Sequence, residues 1–268
     1  MIRLLLIVTF ISTVYTKVVA QKSLKSPKDL ILLIGQSNMA GRATLLPEDD
    51  KVIDGAFLYD SLNHWIPLKN PLNIHSSIRK IARMQKLNLG FTFAKKITET
   101  KTFNTIGLVV NARGGTKIQS WLPGTLYYKE AVRRSLEAIK EGAKFRAVLW
   151  HQGEGNLNYD SDIDYDGYFE KLKLIIYQLR KDLKNDELIF IAGELNKDNP
   201  KNIRFKSMLA RLETEVPFAG SVKSEGTKTK DGTHFDNEGL KIMGDRYAEK
   251  LISLMKLNNC LIFFDLSM

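Results

Sequence analysis

Residues 30–41 read Leu30-Ile31-Leu32-Leu33-Ile34-Gly35-Gln36-Ser37-Asn38-Met39-Ala40-Gly41. Five consecutive apolar residues ending at a glycine describe a strand buried on both faces, as in a parallel sheet covered by helices. The polar residues that follow then stand at a strand's C-terminal end, the rim where α/β folds place their ligands. Ser37 puts a hydroxyl on that rim.

Working outward, apolar runs of strand length recur at Thr105–Asn111, Phe145–His151, Leu188–Gly193 and Phe218–Val222. Between them, helical spacing marks Phe91–Glu99, Leu126–Glu141, Tyr165–Leu183 and Ile203–Thr214, with a last helix from Asn237 to about Lys256. Tyr168, Phe169, Leu172, Ile175, Ile176 and Leu179 show the period clearly. Alternating strands and helices predict an α/β fold, a parallel sheet of about five strands with helices on both faces. Val52–Leu68, with Phe57, Leu58, Tyr59 and Trp65, adds a short hairpin or edge strand before an irregular excursion to Leu87.

The first twenty residues differ from the rest. Arg3 precedes the apolar run Leu4–Ile11, and small residues end the stretch at Ala20. This is the pattern of a secretory signal peptide, with residues 21–268 as one domain and a secreted or periplasmic destination. The apolar run falls short of the about 20 residues a membrane-spanning helix needs, so no membrane association is expected after cleavage. Cys260 is the only cysteine, so no intramolecular disulfide is available. The net charge of +10 is spread along the chain without a dense basic run, which argues for a solvated lysine surface and against nucleic acid as a partner.

The special residues fall at strand ends. Asn111-Ala112-Arg113-Gly114-Gly115-Thr116 follows the second strand, Trp150-His151-Gln152-Gly153-Glu154 ends the third, and Gly193-Glu194 ends the fourth. Asp231-Gly232-Thr233-His234-Phe235 lies before the last helix, with Asp236 placed to cap it. Serine, histidine and carboxylate are the parts of nucleophilic acyl transfer, with Ser37 as nucleophile, His234 as base and Asp231 holding the ring. Glu154 is a rival for the acidic position, or a partner of Arg113 in a buried ion pair. An oxyanion would find donors in the Ser37 N–H, in the N–H of Gly114 or Gly115, and in the Gln152 amide. Trp121 either stacks on a sugar face or anchors its own loop, Arg113 stands beside the nucleophile toward substrate, and Trp150 belongs to the core.

Gly-Gln-Ser-Asn-Met, Asn-Ala-Arg-Gly-Gly-Thr with its later Trp, Trp-His-Gln-Gly-Glu and Asp-Gly-Thr-His-Phe resemble, in order, the four blocks of the SGNH (GDSL-like) hydrolase superfamily. The variant is similar to the sialate O-acetylesterase and family 6 carbohydrate esterase (acetylxylan esterase) branch, over Leu30 to about Tyr247. The resemblance implies a three-layer α/β/α, flavodoxin-like sandwich. It also implies a cofactor-free serine esterase acting on an acetylated carbohydrate. By motif match it gives Ser37 as nucleophile and His234 as base, with Gly114 and Gln152 completing the oxyanion hole.

Two other classes fit some of the same residues. A metal-dependent hydrolase would use His151, Glu154, Asp231 and His234, though no metalloprotease-type ligand spacing appears and Ser37 is then unexplained. A carbohydrate-binding protein on the same fold would need no intact nucleophile and base.

Overall fold

In a computed structural model, the structure describes residues 26–140, 142–159, 162–196 and 200–265, with side chains at the C-terminal end as far as Leu257. The leader expected over residues 1–20 lies outside these residues, as does the side chain of Cys260.

Strand β1 (Asp29–Gly35) is the sheet's centre. It pairs in parallel with β4 (Ile106–Ala112) on one side and β5 (Lys144–His151) on the other. Beyond β5 come β6 (Ile189–Gly193) and β7 (Ala219–Val222), both parallel. Beyond β4 come β2 (Ile53–Tyr59), parallel to it, and β3 (Trp65–Leu68), antiparallel to β2. The order is β3-β2-β4-β1-β5-β6-β7, so the sheet has seven strands where about five are expected. The two extra strands are the Val52–Leu68 hairpin, whose turn is held by Asp60 Oδ1 accepting the Leu62 and His64 N–H groups, each at 2.8 Å.

Strand residues alternate between two cores. Leu30, Leu32 and Ile34 join Val148, Trp150 and Phe190 against helices α3 (Leu126–Ala138), α5 (Tyr165–Asp182) and α6 (Pro200–Ala210). Ile31 and Leu33 join Val110 and Leu149 against α2 (Leu89–Glu99) and α8 (Asn237–Asp265). Both faces are covered, which is why the strands read as unbroken apolar runs. Each such side chain contributes about 1.5–3 kcal/mol of burial. The expected Ile203–Thr214 helix is broken at Arg211 into α6 and the short α7 (Leu212–Glu215). Asp236 Oδ1 accepts the Gly239 N–H at 2.7 Å, the expected cap of α8.

Three features carry this frame to the rim. Gly35 has φ +139°, and a Cβ there would run into the His151 carbonyl, so β1 ends against β5 only because residue 35 is glycine. Directly after it, Ser37–Ala40 makes one helical turn (α1). The excursion after β3 is tied to the end of β4. Asn73 Oδ1 accepts the Ala112 N–H at 3.0 Å, and Asn111 Oδ1 accepts from Ser76 Oγ at 2.9 Å and the Ser77 N–H at 3.0 Å. Among the described residues, no helix is long and apolar enough to cross a membrane.

Candidate active site

Ser37 opens the turn that leaves β1, and its Oγ lies 3.0 Å from His234 Nε2. His234 Nδ1 lies 2.7 Å from Asp231 Oδ2. The other oxygen of Asp231 accepts the backbone N–H groups of His234 at 2.8 Å and Thr233 at 3.1 Å. Burial works to raise the Asp231 carboxyl, but these N–H donors and the His234 ring outweigh it and hold it below the ordinary carboxylate value. An ionised Asp231 on Nδ1 leaves Nε2 to face the hydroxyl.

The His234 loop comes from the far end of the chain and is fastened to the residue after Ser37. Asn38 Nδ2 donates to the Thr233 carbonyl at 3.2 Å, and Asn38 Oδ1 accepts the Phe235 N–H at 3.1 Å. Within the loop, the Lys230 N–H donates to the His234 carbonyl at 2.9 Å. Asn38 therefore sets the distance between serine and histidine without touching either side chain. The motif contained it, but residue type alone gave no sign of this bracing role.

Ser37, Asp231, Thr233 and His234 line a cleft of about 450 Å³. Gln36, Gly114, Gly155 and Asn158 line it as well, and so do Arg42, Lys80 and Met84. A Cβ on Gly114 would stand 2.7 Å from Arg42 Nη2 and 3.3 Å from Ser37 Cβ, so the glycine keeps open the space beside the serine. The first N–H groups of a helical turn have no intrahelical acceptor, which leaves the Ser37 N–H for a ligand. Arg42 is 8% exposed. Its Nη1 donates to the carbonyls of Gly41 at 2.7 Å and Met84 at 3.0 Å. Burial lowers the pKa of its guanidinium. Arg42, Lys80 and Met84 are absent from the sequence reading. Arg42 lies just past the first motif, and the other two sit in the excursion, whose path has no periodicity to follow.

Four expected residues are placed elsewhere. Glu154, at the start of helix α4 (Glu154–Tyr159), is 1% exposed and accepts from Asn38 Nδ2 at 2.5 Å. Its Oε1 is 3.5 Å from His151 Nε2, so its partners are Asn38 and His151, not His234 or Arg113. Gln152 is fully buried, and its Nε2 is turned toward Gln36 Oε1 at 3.1 Å, the Thr116 carbonyl at 2.9 Å and Asn156 Oδ1 at 3.1 Å. An amide so engaged offers nothing to an oxyanion. Arg113 reaches the carbonyls of Ile78 and Arg79 at 3.0 and 3.3 Å and covers the Tyr127 ring, clamping the excursion instead of lining the cleft. Trp121 is 1% exposed, edge-on to Trp150, with Nε1 donating to Thr116 Oγ1 at 3.0 Å. It anchors its loop and has no face to offer a sugar.

The residues of the metal alternative divide into two pairs, Asp231–His234 at the cleft and His151–Glu154 in the interior. Among the described residues, no group of three or more His, Cys, Asp or Glu side chains is placed to share an ion.

Known proteins share both sequence and fold with this chain. A probable carbohydrate esterase of Arabidopsis thaliana, At4g34215, is 31% identical over 245 residues, covering 85% of this chain and 91% of the relative. The structure of the Arabidopsis thaliana protein AT4G34215 superimposes with a TM-score of 0.75 at 26% identity, over 85% of this chain and 98% of that one. NanS shares the fold at a TM-score of 0.68 and 17% identity, over 87% of this chain and 99% of its own. XAC1771, described as a carbohydrate acetylesterase from Xanthomonas citri, does so at 0.58 and 17%, over 82% of this chain and 55% of its own. The family model described as carbohydrate esterase, sialic acid-specific acetylesterase, matches residues 27–253. With that span of sequence and the seven-stranded α/β frame in agreement, the chain belongs to this carbohydrate esterase family.

Proposed function

We propose that the chain removes O-acetyl groups from a carbohydrate by nucleophilic serine catalysis. One observation carries the reading: His234 bridges Ser37 Oγ and Asp231 Oδ2 at 3.0 and 2.7 Å in a solvent-open cleft. Ser37 Oγ attacks the acetyl carbonyl while His234 Nε2 takes its proton, and Asp231 stabilises the ring's charge. The negative oxygen is received by the N–H groups of Ser37 and Gly114. His234 returns the proton to the departing sugar oxygen, then activates a water that frees acetate from the serine.

The cleft also speaks to the sugar. Arg42 and Lys80 line it without a carboxylate partner among the described residues, and Asp231 is committed to His234. A buried cation without a counter-charge favours a ligand that brings one. The sugar of this reading therefore carries a carboxylate, as a sialic acid does, and neutral acetylxylan is the poorer substrate. The pattern of residues 1–20 adds export from the cytosol, with the mature protein starting near Gln21.

Acetate release from acetylated sialic acid and from acetylxylan, with and without chelator, tests this. Release that survives the chelator and favours the sialic acid is expected. Sugar binding without acetate release would make the protein a carbohydrate-binding one, and loss with chelator would revive the metal mechanism.

A further inference from the structure

Between Asp60 and Glu99 the chain has no acidic residue, and the cations of this stretch divide by where the fold puts them. Lys69, Lys95 and Lys96 do not line the cleft, and each meets a carboxylate: Asp50 at 3.2 Å, Glu99 at 3.9 Å and Glu249 at 3.6 Å. Arg79, Lys80, Arg83 and Lys86 are exposed and have no carboxylate partner among the described residues. In the sequence they are diluted by apolar neighbours. The fold lays the segment that carries them along one edge of the Ser37 cleft, where Lys80 and Met84 form part of the lining.

That edge is fixed along its length. At one end Arg113 Nη1 donates to the Ile78 and Arg79 carbonyls, and Lys80 Nζ would lie 3.4 Å from a Cβ on Gly115. The middle is a turn over Ala82–Met84, tied down by buried Gln85. Gln85 Nε2 donates to the Ile81 carbonyl at 3.1 Å, and its Oε1 accepts from Asn73 Nδ2 at 2.8 Å. Arg42 Nη1 holds the Met84 carbonyl, and at the far end the Leu87 N–H donates to the Ala43 carbonyl at 3.2 Å. Lys230 Nζ, donating to the Arg42 carbonyl at 2.8 Å, adds its charge at this end. The segment therefore runs from the loop after β4 to the loop after α1.

A single acetylated sugar accounts for only part of this. In the cleft it meets Arg42 and Lys80, which line it. Arg79, Arg83, Lys86 and Lys230 stand outside the lining, so they can meet only what projects from the cleft. Like charges held together by a fixed backbone repel one another, and an anion laid along them relieves that cost. A ligand with one carboxylate cannot reach the whole row. A chain with carboxylates on successive sugars can, and each further contact forms intramolecularly once the first is made.

We propose that residues 79–86 and Lys230 form a docking edge for a polyanionic glycan, and that the sugar deacetylated at Ser37 is one unit of a chain whose neighbouring units carry carboxylates. The inference rests on the serine-esterase reading above and extends it from a charged sugar to a charged polymer.

The probes are O-acetylated polysialic acid and O-acetylated polygalacturonate, each beside its acetylated monomer, and a chromogenic acetyl ester. Wild-type protein should show a KM per acetyl group at least about tenfold lower for one polymer than for its monomer. The polymer favoured tells whether the carboxylates belong to sialic or to uronic acids. Arg83→Gln combined with Lys86→Gln changes two exposed side chains that the chemistry does not touch. It should raise that KM about tenfold at unchanged kcat and leave the monomer and the chromogenic ester within about twofold. Added salt should erase the advantage of the polymer. Equal KM for polymer and monomer in the wild type, or an unchanged polymer KM in the double variant, overturns the proposal and leaves the esterase standing. Calorimetric binding of the unacetylated polymers separates the two readings. A wild type that binds one of them, more weakly in the double variant, yet releases no acetate from any probe keeps the docking edge and defeats the esterase reading.

Discussion

Asn38 donates a 2.5 Å hydrogen bond to Glu154, joining the residue after Ser37 to a carboxylate that is almost completely buried. The same Asn38 fastens the His234 loop. Glu154 thus supports the ground on which serine and histidine stand, while Asp231 touches the histidine itself. Replacing the group on Nδ1 by an amide disturbs tautomer and charge, so Asp231→Asn should lower kcat by about 10⁴. Glu154→Gln should lose less activity and more stability. Kinetics and thermal melts of both folded variants check this, and the opposite ranking of kcat would move the acidic role to Glu154.

Alanine keeps the Cβ of Ser37 and removes only the Oγ, the atom that is bonded to His234. Ser37→Ala should keep the wild-type melting temperature within a few degrees and lower acetate release by about 10³ or more. A folded variant with near wild-type turnover would end the nucleophile assignment.

Strands β1 and β4 to β7 and the main helices are legible because burial on both faces leaves no polar residue in a strand such as Leu30–Ile34. The β2–β3 hairpin is less so, since its exposed edge mixes Asp54 and Pro67 into the apolar pattern. Helix α4 is hidden by the glycines at its start, Gly153 just before it and Gly155 within its first turn, which read as a loop. In the site, Ser37, Asp231 and His234 are legible by residue type and order. What a motif cannot convey is direction. Gln152, Trp121 and Glu154 sit beside rim residues in sequence, yet their side chains turn inward. Lys80 and Met84 reach the cleft through hydrogen bonds of Asn73 and Asn111 that no spacing announces.

Arg42 offers a direct reading of the sugar's charge. Arg42→Met should raise KM about tenfold for an acetylated sugar bearing a carboxylate, equal to about 1.4 kcal/mol. It should leave a neutral acetylated xylo-oligosaccharide nearly unchanged. Added salt should weaken the first substrate and spare the second. Equal effects on both would assign Arg42 to the architecture of the cleft.

The size and lining of the cleft set the acyl group. Among the described residues that line it, Met84 is the one large apolar side chain. An acetyl methyl needs little apolar surface, whereas an octanoyl chain needs a trough. Rates on acetyl, butyryl and octanoyl esters of one chromogenic alcohol should fall in that order, and a faster octanoyl ester would indicate a lipase-like enzyme.

Glu154 predicts a pH dependence of stability. Burial works to raise its carboxyl, but the His151 ring beside it, with the Asn38 amide, holds it below the ordinary value. A carboxyl depressed in the folded state stabilises the fold above its unfolded pKa, and loses that contribution as pH falls through the lower, folded value. The urea midpoint of the wild type should therefore drop more steeply than that of Glu154→Gln on going from pH 7 into the acid range. Parallel curves would show that this carboxyl titrates alike in both states.

The bond between Ser37 and His234 spans 197 positions of the chain. Six of the seven strands lie between its two ends, and the helix that follows His234 is itself pinned under the sheet by Tyr247 donating to the Trp150 carbonyl at 2.6 Å. Contacts this distant in sequence close late in folding. A growing or truncated polypeptide therefore carries an inert hydroxyl, and the onset of ester hydrolysis during refolding is a clock for the docking of the final helix.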